Sequence, residues 1–261
     1  MAPNGENGYD KIVATDVFKS FGAKKVLTGL NLTVQDGDTL VIIGRSGCGK
    51  SVFLKHIIGL VRPDSGTIEV DDCEVSTAKG RTLNELRRKF GMVFQGAALF
   101  DSLSVGRNVG FYLYEYSDLS DADIADVVED KLRLVGLENV SHLKPAELSG
   151  GMKKRVSLAR AIAHDPEIVL YDEPTTGLDP IMSDVINDLI IKLDEQLDVT
   201  SVAVTHDMAS AYKIADKIAM MYGGKIIASG KPEEIKNSDD EFVRQFIEGS
   251  AEGPIDVIGG A

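Results

Sequence analysis

The sequence predicts an α/β fold: a mainly parallel sheet built around a phosphate-binding loop, preceded by an antiparallel β layer and interrupted by an inserted helical sub-domain. Three observations predict it. Gly44 to Ser51 reads G-R-S-G-C-G-K-S and fits G-x-x-x-x-G-K-[ST], between the apolar run Thr39 to Ile43 and the helical pattern Val52 to Ile58. Apolar strand-length runs recur at Phe90 to Phe94, Glu167 to Tyr171 and Thr200 to Thr205, alternating with helical stretches as a parallel sheet requires. From Gly96 to about Pro166 the pattern is helical throughout.

The loop explains why these residue types stand at these positions. Gly44, Gly47 and Gly49 let successive backbone N–H groups turn inward around a phosphate, and the helix that follows adds the positive end of its dipole. Lys50 then reaches the β- and γ-phosphates, and the Ser51 hydroxyl is offered to Mg²⁺. Arg45, Ser46, Cys48 and Val52 complete the segment around the nucleotide. The bare pattern arises by chance in about one chain of this length in a hundred, and the flanking strand and helix make chance rarer. It identifies a P-loop NTPase core. It does not separate kinase, GTPase, helicase and transport ATPase.

A chain of 261 residues buries a full core, with 43% hydrophobic and 26% charged residues, the balance of an ordinary globular protein. A net charge of -13 argues against nucleic acid as the partner and equally disfavours direct adhesion to anionic lipid. No apolar stretch approaches the length of a membrane span, and Met1 to Lys11 carries no secretory segment. A cytoplasmic location is expected, with Cys48 and Cys73 as free thiols. If the protein meets a membrane, a partner brings it there.

In chain order, Met1 to Asp10 reads as disordered. Lys11 to Phe21 and Gly29 to Val34 alternate as an antiparallel pair closed by the turn Asp36-Gly37-Asp38, with Phe21 expected in core packing. Pro63-Asp64-Ser65-Gly66 is a turn, Thr67 to Val70 a strand, Thr82 to Lys89 a short basic helix, and Phe90 to Phe94 a buried strand ending at Gln95. Ser120-Asp121-Ala122-Asp123 starts a helix with acids in its first turn. A strand over Glu167 to Tyr171, a helix over Ile181 to Gln196, a strand over Thr200 to Thr205 and a hairpin turning at Gly223-Gly224 follow. This divides the chain into a discontinuous core (1–95 and 167–236), a helical sub-domain (96–166), and a C-terminal helix and tail (237–261).

Further chemistry lies outside the loop. Leu148-Ser149-Gly150-Gly151-Met152 precedes a helix, with Ser149 as its N-cap and glycines exposing backbone N–H groups, which makes a second anion site. The strand ending at Tyr171 runs into Asp172-Glu173-Pro174, where proline interrupts pairing so that both carboxylates can turn toward a site. Asp172 suits the second shell of Mg²⁺, and Glu173 suits orientation or deprotonation of an attacking water. His206 and Gln95 follow other apolar strands, and parallel strands deliver such residues to one sheet edge.

Taken in order, the loop, Gln95, Leu148 to Met152, the Asp172-Glu173 pair, Gly177-Leu178-Asp179 and His206 resemble the ATP-binding-cassette (ABC) ATPases over nearly the whole chain. The resemblance implies ATP and Mg²⁺ as ligands, with Ser51, Gln95 and Asp172 toward the metal and Lys50, Glu173 and His206 in catalysis. It implies a head-to-tail homodimer in which Leu148 to Met152 meets the partner's ATP and Asp179 lies in the dimer loop. Phe21 falls where the family stacks an aromatic on adenine, although tyrosine is more usual there. Met152 departs from the commoner glutamine and marks a subgroup.

Phe94 to Leu103, the methionine signature and Val243 to Ile255 are similar to the ATPase of Mla-type lipid transporters. That resemblance implies a peripheral subunit at the cytoplasmic face of the inner membrane, held by a permease and working with an MCE-domain lipid-binding protein and a small STAS-type accessory subunit. Two alternatives stay open: a soluble ABC ATPase of an assembly or regulatory complex, and the motor of a polar-solute importer. Phe242, Val243, Phe246 and Ile247 recur at helical spacing, and the tail beyond Gly253-Pro254, with Ile255, Val257 and Ile258, either docks on the chain's own core or crosses to a partner subunit.

Overall fold

The structure is a computed structural model that describes residues 9–255. Of the disorder predicted over Met1 to Asp10, Met1 to Gly8 lie outside the described residues, as do Val257 and Ile258 of the tail, whereas Asp10 opens the first strand opposite Gln35 and corrects that end of the expectation. In chain order the elements begin with β1 (Asp10–Phe21), β2 (Lys24–Gln35), β3 (Thr39–Ile43), α1 (Lys50–Ile57), β4 (Ser65–Val70) and β5 (Cys73–Glu74). Next come α2 (Gly80–Arg87), β6 (Phe90–Val93), α3 (Val105–Val109), α4 (Phe111–Tyr116), α5 (Asp121–Leu134), a 3-10 turn (Pro145–Glu147) and α6 (Gly150–Ala161). The chain continues through β7 (Ile168–Asp172), α7 (Pro180–Leu197), β8 (Thr200–Thr205), α8 (Met208–Ile214), β9 (Lys217–Tyr222), β10 (Lys225–Gly230), α9 (Pro232–Lys236) and α10 (Glu241–Glu248). Two compact units divide it: residues up to 78 with those from 204 onward, and residues 79–203.

The first unit carries the antiparallel layer, with strand order β2-β1-β4-β5. Ile12, Ala14 and Val17 of β1 face Leu27, Leu30, Leu32 and Val34 of β2 in one buried sheet face. The turn that joins β1 to β2 is Gly22-Ala23, whereas Asp36-Gly37-Asp38 leads into β3. This corrects the expected closure, because β2 starts at Lys24, well before the predicted Gly29, and so meets the end of β1. A bulge at Asp16 (φ 47) breaks the alternation of β1, and the Asn31 side chain accepts from the Asp16 N–H at 2.9 Å. The bulge also explains why β4 starts inside the predicted turn. A Cβ on Gly66 would lie 2.1 Å from the Asp16 carbonyl oxygen, so only glycine lets the strands approach.

In the same unit β3 is buried along its whole length and pairs in parallel with β9, from Leu40 opposite Lys217 to Ile43 opposite Met220. β10 returns antiparallel beside β9 through Gly223-Gly224. Thr28 ties the antiparallel layer to that turn, its N–H donating to Gly224 at 3.0 Å and its hydroxyl to Gly223 at 2.7 Å. α10 is capped by Asp240, which accepts from Phe242 and Val243, and it buries Val243 completely while Phe242 packs on Tyr222.

The chain then folds back on α10 instead of leaving it. The buried Gln245 side chain accepts from the Ile255 N–H at 2.6 Å and donates to the Ile255 carbonyl at 3.2 Å, and Ile255 is itself buried. Of the two courses open to the tail, Ile255 takes the one that docks on the chain's own fold. A glutamine amide carries the donor and acceptor of a peptide group, so it pairs with the segment as a neighbouring strand would.

In the second unit β6 and β7 are parallel neighbours, Phe90 opposite Ile168 through Val93 opposite Tyr171, with β8 beside β7. The Lys89 carbonyl accepts from both Glu167 and Ile168 at 2.9 Å, which opens the ladder and ends α2 before the predicted Lys89. α5 starts as predicted, Ser120 and Asp123 forming a reciprocal capping box, and it buries Ile124, Val128 and Leu132. α5 and α6 pack together, and α6 buries Val156, Leu158, Ala159 and Ala161. Among the described residues no helix is long and apolar enough to cross a membrane.

Candidate functional site

The phosphate loop sits in the first unit at the carboxyl end of β3. Gly44 has φ 150, and a Cβ there would stand 2.4 Å from the Met221 carbonyl oxygen of β9, so the loop can leave the sheet only through glycine. Arg45, Ser46 and Gly47 are exposed, Cys48 is half-buried, and Gly49 (φ 113) precedes α1. α1 has no side-chain cap and no acid in its first turn, so its positive end is left for an anion. The Lys50 ammonium folds back over the loop, donating to the Gly44 carbonyl at 2.6 Å and to Arg45 at 3.2 Å. Ser51 and Val52 follow in the first turn of the helix.

Two further predicted residues lie in this unit. Phe21 ends β1 with half its surface exposed and the Lys19 ammonium 5.4 Å above its ring. Core packing is thereby corrected: the ring stands in solvent, where a planar ligand can reach it. His206 is exposed directly after β8, ahead of Asp207, which caps α8 by accepting from Ala209 and Ser210. α8 packs on β3, the strand that feeds the loop.

The second unit brings Gln95, Asp172 and Glu173 together at the ends of neighbouring strands. Gln95 is exposed, two residues past β6, while Asp172 closes β7 and is buried with Glu173. Glu173 has φ 51, the left-handed region, which costs a non-glycine residue about 1–2 kcal/mol. That turn, ahead of Pro174, takes Glu173 out of strand alternation. Thr176 steadies its carboxylate by donating from its hydroxyl to Oε2 at 3.1 Å.

Sequence reasoning missed the group that joins these ends. Lys154 of α6 is buried, and its ammonium donates to the main-chain carbonyl of Gln95 and to that of Glu173 at 3.4 Å. Burial lowers its pKa, and the nearby Asp172 and Glu173 carboxylates oppose that shift. A signal was available: Lys154 lies three residues after Gly151 and four before Leu158, on the buried stripe of the helix. Farther along α6, Arg160 donates to the carbonyls of Ala97 at 2.7 Å and Ala98 at 2.6 Å, both in left-handed conformation.

The sequence predicts a second anion site at the start of α6, and the structure places a helix N-terminus there. Ser149 accepts from the Met152 N–H at 3.2 Å, and Ser149 and Gly150 are exposed with no acid in the first turn. Leu148 and Gly151 are buried and Met152 is half-buried. Asp179 caps α7 by accepting from Ile181 and Met182, so in this chain it holds a helix start. Among the described residues no group of three or more His, Cys, Asp or Glu could hold a metal. Ser51, Gln95 and Asp172 nevertheless carry hard oxygen donors, and Mg²⁺ bound with phosphates takes only one or two carboxylates from protein.

Known proteins resemble this chain along most of its length. The family model described as ABC transporter matches residues 27–176. The Mycobacterium tuberculosis (strain ATCC 25618 / H37Rv) protein described as "Probable ribonucleotide transport ATP-binding protein mkl" is 40% identical over 91% of this chain. The chain spans 66% of the length of that relative. The Haemophilus influenzae (strain ATCC 51907 / DSM 11121 / KW20 / Rd) "Intermembrane phospholipid transport system ATP-binding protein MlaF" is 42% identical over 90% of this chain and 89% of its own length. Among solved structures, the dimeric post-hydrolysis state of the ATP-binding cassette MJ0796 bound to ADP and Pi superposes with a TM-score of 0.78 at 31% identity, covering 85% of this chain and 98% of that one.

Proposed function

This chain belongs to the ABC transporter family, and from that premise we propose that it is the ATP-hydrolysing motor of a transporter that moves phospholipid between membranes. The observation that carries the nucleotide reading is the loop itself: an uncapped helix start, turned out of the sheet by Gly44, with the Lys50 ammonium folded over it. Phosphate oxygens would take the α1 N–H groups and the Lys50 charge, and adenine would stack on the exposed Phe21. Gln95 and Glu173 would orient the attacking water. Its proton passes to the Glu173 carboxylate as the oxygen bonds to the γ-phosphorus, and the bond to the β–γ bridging oxygen breaks to leave ADP and phosphate. His206 would hold a γ-phosphate oxygen as charge builds there. Ser51, Gln95 and Asp172 would hold Mg²⁺, whose charge neutralises the phosphates when it is bound.

The chain offers two uncapped or exposed helix starts for anions, at α1 and at Ser149-Gly150, one in each unit. A homodimer arranged head to tail would use both, the partner's ATP meeting Leu148 to Met152 with Asp179 in the dimer loop. Residues 1–95 and 167–236 would then act as the core, and residues 96–166 would pass its movement to an integral membrane permease at the cytoplasmic face of the inner membrane. An MCE-domain lipid-binding protein and a STAS-type accessory subunit complete the proposed assembly.

Phospholipid is favoured as cargo because the MlaF relative matches along 89% of its own length, whereas the relative named for ribonucleotide transport is spanned only in part. The test is purification of the chain with its partners from native membranes, followed by identification of bound proteins and extracted lipid. A permease and stoichiometric phospholipid are expected. A complex without a membrane subunit, or one that retains a polar solute and no lipid, refutes the proposal.

A further inference from the structure

We infer that Lys154 is a positioning residue for hydrolysis: its ammonium, bonded to the main-chain carbonyls of Gln95 and Glu173, sets the water-orienting carboxylate against the Gln95 loop and ties both to the helix that begins at Ser149. The inference rests on the proposed hydrolytic roles of Gln95 and Glu173.

The geometry gives the lysine a task that packing alone does not require. A lysine is almost never buried unless its charge is partnered, and leaving such a cation unpartnered costs several kcal/mol. β6 ends at Val93 and β7 at Asp172, so the carbonyls of Gln95 and Glu173 lie just beyond the parallel ladder. There the strand ladder no longer sets the backbone, and the Glu173 carbonyl accepts from the Thr176 N–H at 3.3 Å as well as from Lys154. Glu173 is also in a strained left-handed conformation, which persists only where the surroundings over-determine it. An ammonium with three donors is suited to gather two such carbonyls at once.

The same helix connects these contacts to the exposed signature. Lys154 lies five residues from Ser149, about 7.5 Å along the axis at 1.5 Å per residue, within a single rigid element. Arg160 holds the carbonyls of Ala97 and Ala98, so α6 grips the segment after β6 at two places. A phosphate that pulls on Ser149 and Gly150 therefore moves the helix that holds Glu173 in the same chain. Occupancy of the signature by a partner's nucleotide is thereby coupled to the readiness of this chain's own carboxylate.

The test compares Lys154→Met, Lys154→Gln, Lys154→Arg and Glu173→Gln in the full chain, purified with its co-purifying membrane subunits. For Lys154→Met, kcat should fall about 10–100-fold, the usual effect of losing a group that orients a catalytic residue. KM and the equilibrium affinity for MgATP should stay within about threefold, since no phosphate contact is removed. Lys154→Arg, which keeps charge and donors, should recover most of the rate. If Lys154→Met does not fold by circular dichroism, Lys154→Gln is judged by the same thresholds. Turnover within about threefold of wild type, an ATP affinity that falls as far as kcat, or an arginine variant no better than methionine overturns the inference. Should Glu173→Gln itself turn over normally, the hydrolytic reading fails first. Should it be inactive while Lys154→Met is normal, only the role of Lys154 is lost.

Discussion

Replacing Glu173 by glutamine isolates the proposed water-orienting carboxylate with little structural disturbance. The residue is buried, its backbone is set by the turn into Pro174, and Thr176 donates to Oε2 at 3.1 Å. A carboxamide of the same shape still accepts that bond through its own oxygen, so the turn and the Lys154 contact to the Glu173 carbonyl should survive. What is lost is the acceptor for the water's proton. General-base catalysis contributes about 10²–10⁴-fold, so kcat should fall by that factor. The corresponding barrier is about 2.7–5.5 kcal/mol. Affinity for ATP should change less than about threefold, because the α1 start and Lys50 are untouched. Phosphate release at saturating MgATP measures the first quantity, and equilibrium binding of a fluorescent ATP analogue the second. ATP-dependent dimers should accumulate on size exclusion. Turnover within about threefold of wild type refutes the assignment of Glu173.

Lys50→Ala removes a charge that meets phosphate in the ground state, so nucleotide affinity itself should fall about 10–100-fold, the equivalent of one charge-assisted hydrogen bond, in the same binding assay. Gln245→Ala leaves the buried Ile255 N–H without its acceptor and should speed amide exchange at Ile255, while exchange at β3 and ATP binding remain as in the wild type. Burial depresses the pKa of His56 and of His164 below the ordinary imidazole value of 6.5, so the unfolded chain binds more protons than the folded one at mildly acid pH. Stability from keeping these rings neutral is present above that value and is lost as pH falls from it toward the folded values, and the thermal midpoint should drop between neutral pH and pH of about 5.5. His164→Asn should flatten that drop.

The parts of the fold that were legible are those where local signals and burial agree. The loop, Ser149 as N-cap, the Ser120 helix start and the Gly223-Gly224 hairpin all depend on short-range geometry that residue types report directly. The missed boundaries had non-local causes. β2 begins at Lys24, ahead of the predicted Gly29, and Thr28 in that added stretch is held by Gly223 and Gly224, far away in sequence. α2 stops early because the Lys89 carbonyl is taken by Glu167 and Ile168, almost eighty residues away. Phe21 is ambiguous from its type alone, since a lone aromatic usually packs in the core, and its place at the end of a strand leaves it in solvent.

The candidate site divides in the same way, and the division follows from which atoms do the work. Side chains that act by their own chemistry, such as Lys50, Asp172 and Glu173, announce themselves by type and by position at strand ends. Lys154 acts on main-chain carbonyls, and a carbonyl carries no residue identity for a sequence to display. Its one trace is a charge in an otherwise buried stripe beside Gly151 and Leu158, a conflict between pattern and residue type. Such conflicts mark places where a sequence departs from simple packing, because burying a cation is unfavourable unless its partners require it. The tail teaches the converse. Ile255 looked too apolar to be idle, and it is not idle, but its partner is a glutamine ten residues earlier in the same chain. Apolar character told that the segment is buried; only the placement of Gln245 on α10 told against what.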